Sequence, residues 1–281
     1  MKTLKFICAF AAIIVLQLNG WGQDYPFLEN SGSLSAVEPG SGITSPVTVT
    51  VIYDNYVHTE GMTPDWGYSI VIEGLDKTVL FDTGTRPEIF RSNFLKTGID
   101  AGSTDLLVFS HEHPDHVGGL PAFSAMKTGI PAVIPHSFTR PVISSIVNAG
   151  YKPLLVGDAA LICNNLYTSG EFDYQIAEQC LVLDTKEGLV VMTGCAHPGI
   201  VSMLREIKQA FNKDIISVFG GFHLMEKSKS EMEAIITEMK SLGVVRCGAT
   251  HCTGDMQIRM FREAFGENYF ELGAGNKIVF N

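Results

Sequence analysis

Residues 110–119 read SHEHPDHVGG. Five ionisable side chains, His111, Glu112, His113, Asp115 and His116, fall within six positions, directly after the apolar run DLLVF and directly before two glycines. A strand ending in ordinary solvent needs only a turn residue or two, and turn chemistry does not ask for three imidazoles. His111, His113, Asp115 and His116, packed this closely, repel one another or compete for protons unless a cation organises them. Side chains alternate along an extended segment, so His111 and His113 share one side and Glu112 points away. Gly118 and Gly119 let the next helix start close to such a site.

The same pattern recurs at other strand ends. His197 follows LVVMTGCA, His223 follows IISVFGGF, His251 follows VVRCGAT, and Asp82 closes the strand TVLF. Five strands thus deliver a titratable or metal-capable residue at their C-terminal ends, the edge at which layered α/β folds bind ligands. The alternation lets His111 and His113 reach one ion with His197 as a third ligand, leaving a position for water. Asp115 and His116, on the following turn, reach a second ion with His251. Imidazole with a single carboxylate suits zinc best, with iron or manganese as alternatives, and one or two ions are expected. Asp82 has two readings: it accepts a ring N–H and fixes a ligand's orientation, or it caps the turn DTG. His58 and His136 have no companions and read as hydrogen-bonded structural residues. Cys195 and Cys252 stand beside ligand positions and read as small buried thiols.

Around these positions the chain alternates strands and helices. VTVTVIYD is a half-buried strand, YSIVIEG and TVLFD form a hairpin about Asp76, and DLLVFS is a short buried strand. LICNNLYT, CLVLDT, LVVMTG, DIISVFG, VVRCGAT and the terminal KIVF are further strands. PGIVSMLREIKQAF and SKSEMEAIITEMKSLG carry apolar residues at helical spacing. Pro198 is placed to open the first, Ser228 with Glu231 to form a capping box on the second, and Gly243 to stop it. The expected fold is a layered mixed α/β domain.

The bulk numbers narrow the function. Lys2 and Lys5, the apolar run Phe6–Leu18 and the small residues Gly20 and Gly22 read as a secretory signal over residues 1–22. The run is shorter than the roughly 18 to 20 residues that span a bilayer. Residues 23–46, rich in Gly, Ser and Pro, read as a flexible linker, and 47–281 as the folded domain. Removing the two lysines takes the formal charge from −10 to −12. That balance argues against nucleic-acid or anionic-membrane partners, which need a basic face. Cys163, Cys180, Cys195, Cys247 and Cys252 remain, an odd and irregularly spaced set that does not read as a disulfide framework, although one bridge stays open. The expectation is an exported, periplasmic or secreted protein without a membrane partner after cleavage; oligomeric state is left open.

LFDTG, SHEHPDHVGG, GCAHPG and THCTG resemble the successive motifs of the metallo-β-lactamase superfamily over about Val47 to Asn281. DWGYSIVIEG, GCAHPGI, GGFHL and THCTG are similar to its 7,8-dihydropterin-6-methyl-4-(β-D-ribofuranosyl)aminobenzene-5'-phosphate synthase-like branch. The resemblance implies an αββα sandwich with metals held between the two sheets. It groups His111, His113 and His197 on one metal and Asp115, His116 and His251 on the other. It also implies hydrolysis of a small-molecule ester, lactone, amide or phosphoester, with the cation making hydroxide available at neutral pH and Asp115 orienting it or taking its proton. The site is positive, so an anionic substrate fits despite the acidic whole.

One family feature is missing. Most members place a metal-bridging aspartate between the third and last histidine motifs, where this chain has only Asp214, at the wrong end of a strand. His223 occupies the expected place, as a ligand or as a substrate contact. Two alternatives to hydrolysis follow: group transfer on a phosphate or pterin-like group, or a non-catalytic metal-containing binding protein. A diiron redox site is disfavoured, because redox members typically carry glutamate where His113 stands.

Overall fold

The computed structural model describes residues 25–26 and 39–281. The segment 1–22, read as a signal, and most of the 23–46 stretch lie outside the described residues. Two sheets face each other. The first collects β1 (Val47–Tyr53), β2 (Ser69–Glu73), β3 (Thr78–Phe81), β4 (Thr104–Val108), β5 (Pro131–Pro135), β6 (Lys152–Val156) and, at its edge beside β1, β13 (Lys277–Phe280). The second runs β7 (Ala160–Cys163), β8 (Leu166–Thr168), β9 (Leu181–Asp184), β10 (Leu189–Thr193), β11 (Ile215–Gly221) and β12 (Arg246–Thr250).

Strand alternation builds three apolar layers from these sheets. Val49, Val51, Val79, Phe81 and Val108 point inward and meet Leu181, Leu183, Val190, Met192 and Phe219 from the facing sheet. Ile52, Leu80, Leu107 and Ile134 point outward, under α1 (Pro87–Thr97), α3 (Leu120–Ser124) and α4 (Arg140–Asn148). Val191, Val218 and Ala249 point outward from the second sheet, under α5 (Ile200–Phe211), α6 (Lys229–Ser241) and α7 (Asp255–Phe265). The expected αββα sandwich is therefore what the chain forms. Strands covered on both faces read as unbroken apolar runs, which is why β10, LVVMT, is buried at every position.

Several elements differ from the sequence expectation. LICNNLYT is not one strand but the hairpin of β7 and β8, turned at Asn164-Asn165 with Asn165 in the left-handed region at φ 63°. Helix α5 starts at Ile200 after the cap Gly199, so Pro198 lies ahead of the helix. Residues 136–156, assigned no element from the sequence, contain α4 and β6. Packing also begins ahead of Val47: Ile43 is buried and its N–H donates to Asp184 O at 3.0 Å. The capping box of Ser228 and Glu231 is formed.

Topology decides where the site can stand. β3, β4, β5 and β6 are mutually parallel in one sheet, and β10, β11 and β12 in the other. β1 runs antiparallel to β2, and β2 to β3, so β1 ends at the same edge as β3. The C-terminal ends of strands in both sheets converge there, where chain leaving the ladder exposes free backbone groups and side chains. Among the described residues no helix is long and apolar enough to cross a membrane.

Candidate metal centre

The edge holds every titratable residue singled out at strand ends. After β4, His111 and His113 lie on one side, with His111 Nε2 3.2 Å from His113 Nδ1. Glu112 turns away and its Oε2 accepts from Thr139 N and Oγ1 at 2.7 and 2.9 Å. His197 brings its ring to 4.8 Å, centre to centre, from both His111 and His113. The second trio also assembles: Asp115 Oδ2 lies 3.8 Å from His116 Nε2 and 3.3 Å from His251 Nε2. The two trios touch through His111 and His116, whose rings are 4.1 Å apart. The His223 ring lies 4.2 Å from that of His197, tilted by 50°. His58 and His136 are exposed and stand on other partners: His58 N donates to Ala274 O, and His136 Nδ1 is 3.1 Å from Glu171 Oε2.

The short helix α2 (Pro114–Val117) carries Asp115 and His116 into place. It can approach because Gly118 and Gly119 follow it: a Cβ on either would meet Thr85 O at 2.1 Å or Thr83 O at 2.0 Å. Backbone strain gathers at the same edge. Of the six non-glycine residues with positive φ among the described residues, four, Asp82, Ala196, His223 and His251, belong to the site. Such conformations cost on the order of 1–3 kcal/mol each and persist where the surroundings over-determine them.

Behind the donors lies a set of buried hydrogen bonds. Asp82 Oδ2 is 2.7 Å from His116 Nδ1, while its two oxygens accept from Ser110 N and Oγ, each at 2.7 Å. Of its two readings, the structure shows the orienting contact to an imidazole. Ser110 Oγ also reaches His111 Nδ1 at 2.9 Å. Asn55 Oδ1 lies 2.9 Å from His251 Nδ1, and its Nδ2 donates to His251 O. Trp66 Nε1 donates to Asp115 Oδ2 at 2.8 Å. Glu178, fully buried, accepts from the N–H groups of Cys195, Ala196 and His197 at 2.8 to 2.9 Å and so shapes the loop that presents His197.

Sequence reasoning missed Asn55, Trp66, Ser110 and Glu178. Asn55 follows the end of β1 and obeys the strand-end rule, and Trp66 sits in the loop TEGMTPDWG. Glu178 lies in an aperiodic stretch and gave no signal.

The electrostatics favour the neutral, donating form at His111, His113 and His197. Burial, then repulsion from His116, His197 and His113, pushes His111 well below the usual histidine range. Burial and neighbouring imidazoles take His197 down to about 3, and burial lowers His113. Burial alone would lower His116 too, but its pairing with Asp82 outweighs that and carries it up to about 9. Burial opposes ionisation of Asp115, yet His251 and His116 prevail and hold the carboxyl below its usual range.

This set fits a metal ion. His197 Nε2 and His251 Nε2 are buried without a hydrogen bond, a state that costs free energy unless something accepts their lone pairs. Asp115, His116, His251 and Cys195 offer donor atoms within 4.8 Å of one another, and so do His111, His197 and Cys195. Imidazoles, three of them (His111, His116 and His251) held from behind by Ser110, Asp82 and Asn55, with one carboxylate are the donors a divalent first-row metal takes.

Residues 62–126 match the family model of the metallo-beta-lactamase superfamily. The chain is 31% identical, over 77% of its length and 92% of the relative's, to the 7,8-dihydropterin-6-methyl-4-(beta-D-ribofuranosyl)-aminobenzene-5'-phosphate synthase of Methanocaldococcus jannaschii. Among solved structures it is similar to Tm1679, described as a metal-dependent hydrolase of the beta-lactamase superfamily. That likeness has 28% identity and a TM-score of 0.70, over 83% of this chain and 98% of that one. The metallo-beta-lactamase fold protein YhfI of Bacillus subtilis shares the fold at 14% identity and a TM-score of 0.61, over 84% and 100% of the two chains.

Proposed function

Because this chain belongs to the metallo-beta-lactamase superfamily, we propose that it is a metal-dependent hydrolase cleaving an ester, lactone, amide or phosphoester bond in an anionic small molecule. The observation that carries this reading is the packing of His111, His113 and His197 beside Asp115, His116 and His251, with the Nε2 atoms of His197 and His251 buried and unbonded. One or two divalent ions held there, zinc first and iron or manganese next, would supply Lewis acidity to the scissile oxygen and to water. His111, His113 and His197 would hold one ion, and Asp115, His116 and His251 the other. Asp115 has a further role: Trp66 fixes its Oδ2, so the carboxylate would orient the attacking water or take its proton. Asp82 and Asn55 keep His116 and His251 turned with Nε2 toward the ions.

The test pairs metal content with turnover. Stripped and zinc-loaded protein are compared on a panel of phosphodiester, ester, lactone and β-lactam substrates. Turnover should appear only with metal, and His113→Ala should lose metal and turnover together. Undiminished turnover in stripped protein would defeat the reading.

A second reading is group transfer on a phosphate- or pterin-like substrate. It is favoured by the similarity to the archaeal synthase and by the Trp66 indole, 46% exposed and 5.0 Å from His251, a surface on which a planar ring can stack. A transfer assay with pterin substrates separates the two readings. We also infer export from residues 1–22; an intact N-terminus on protein recovered from the producing cell would contradict it.

A further inference from the structure

Two thiols stand inside the constellation of imidazoles. Cys195 Sγ lies 3.2 Å from His116 Nε2 and 3.1 Å from Cys252 Sγ, and both cysteines are 2% exposed. Cys195 is the residue common to all three donor groups: Asp115–His116–Cys195–His251, His111–Cys195–His197, and Cys195–His223–Cys252. Its sulfur therefore sits where the two histidine trios meet.

Charge shows what such a position needs. Two divalent ions bring four positive charges into a site whose donors include one carboxylate, Asp115. Asp82 is occupied by Ser110 and His116, and Glu178 by three backbone amides, so neither can turn toward an ion. Asp214 is at the opposite end of β11, its side chain 75% exposed and 2.9 Å from Lys208 Nζ. The groups left within reach that can give up a proton and become anionic ligands are the two thiols. The buried, unbonded Nε2 atoms of His197 and His251 belong to the two trios that Cys195 joins.

We propose that Cys195, as a thiolate, is the shared ligand between the two ion positions, taking the place of a bridging carboxylate, with Cys252 and His223 as further donors on its far side. The inference rests on the metal reading above and adds the identity of the anion. Binding transfers the thiol proton to solvent and leaves the oxidation state of sulfur unchanged. A sulfur donor also changes the choice of metal: thiolate suits zinc, iron or cobalt and disfavours manganese and magnesium.

The experiment is X-ray absorption at the metal edge of zinc-loaded wild-type protein, with optical spectra of the cobalt-substituted form. Sulfur at about 2.3 Å from zinc and a thiolate-to-cobalt charge-transfer band in the near ultraviolet are expected. Cys195→Ser should lower the sulfur count and weaken the second metal equivalent at least about tenfold. Cys163→Ser, which alters a thiol in the core between the sheets, should change neither. Wild-type protein that binds metal through nitrogen and oxygen alone overturns the inference and leaves the hydrolase reading standing; this measurement needs no variant to fold. An unchanged sulfur signal in Cys195→Ser overturns it as well. Wild-type protein that takes up no metal removes both readings.

Discussion

Asp82 Oδ2 lies 2.7 Å from His116 Nδ1, and neither side chain is exposed to solvent. The pair joins the end of β3 to helix α2 and turns His116 Nε2 toward Asp115 and Cys195. Asp82→Ala leaves Ser110 N–H and His116 without an acceptor in a buried place. A loss of about 3–5 kcal/mol is expected, because removing one partner strands the other. Asp82→Asn keeps the shape and should lose less stability while still weakening metal about 10–100-fold. Urea unfolding and metal titration measure the two effects separately.

Asp54 gives a pH dependence. It is fully buried beside Thr250, and burial pushes its carboxyl up to about 7 against the hydrogen bonds from Thr250 and Tyr56 and the charge of His251. An unfolded aspartate titrates near 3.9. Between that value and 7 the folded state binds the proton more tightly, so stability falls as pH rises through this window. In metal-free protein Asp54→Asn should be more stable than wild type by about 1–3 kcal/mol at pH 8, and this advantage should vanish near pH 4. Unfolding curves at pH 4, 6 and 8 in chelator decide it; an advantage independent of pH would rule out this origin.

Glu178→Gln removes the charge that three amides share. Hydrogen bonds to a charged group contribute about 1.5–3 kcal/mol, so a loss of that order is expected, together with weaker metal retention through a loosened His197 loop. Hydrogen exchange at the amides of residues 195–197 should accelerate in the variant. Unaltered exchange there would mean that the loop is held by other contacts.

Trp66→Phe keeps an aromatic ring beside His251 but deletes the N–H that reaches Asp115. If that bond positions the carboxylate, kcat should fall by roughly tenfold or more with metal content unchanged, the size expected for impaired proton transfer. Trp66→Ala should in addition raise KM. A kcat equal to wild type in the Phe variant would assign Trp66 to substrate contact alone.

Much of the site could be read from local sequence. His111, His113, Asp115 and His116 announce themselves by density, and His197, His223 and His251 by following apolar runs. Strand alternation correctly turned Glu112 outward. The fold was legible where periods are strong, as in α5, α6 and β10. It was missed in β5, which begins and ends with proline, and in β7–β8, where the turn residues Asn164-Asn165 sit inside a run of strand formers. Residues 255–265 carry Ile258, Phe261 and Phe265 at helical spacing on α7, a pattern overlooked beside the motif THCTG.

The sequence by itself determined which residues stand at strand ends, because hydrophobic period and side-chain alternation are properties of neighbours along the chain. It could not say that Asn55 meets His251, that Glu178 gathers three amides, or that the Cys195 sulfur lies between the trios. Those contacts join residues up to 196 positions apart and depend on two sheets packing face to face with their strand ends at one edge. Only tertiary packing sets such distances, and a buried thiol acts as filler or as ligand according to what the rest of the fold brings within reach of its sulfur.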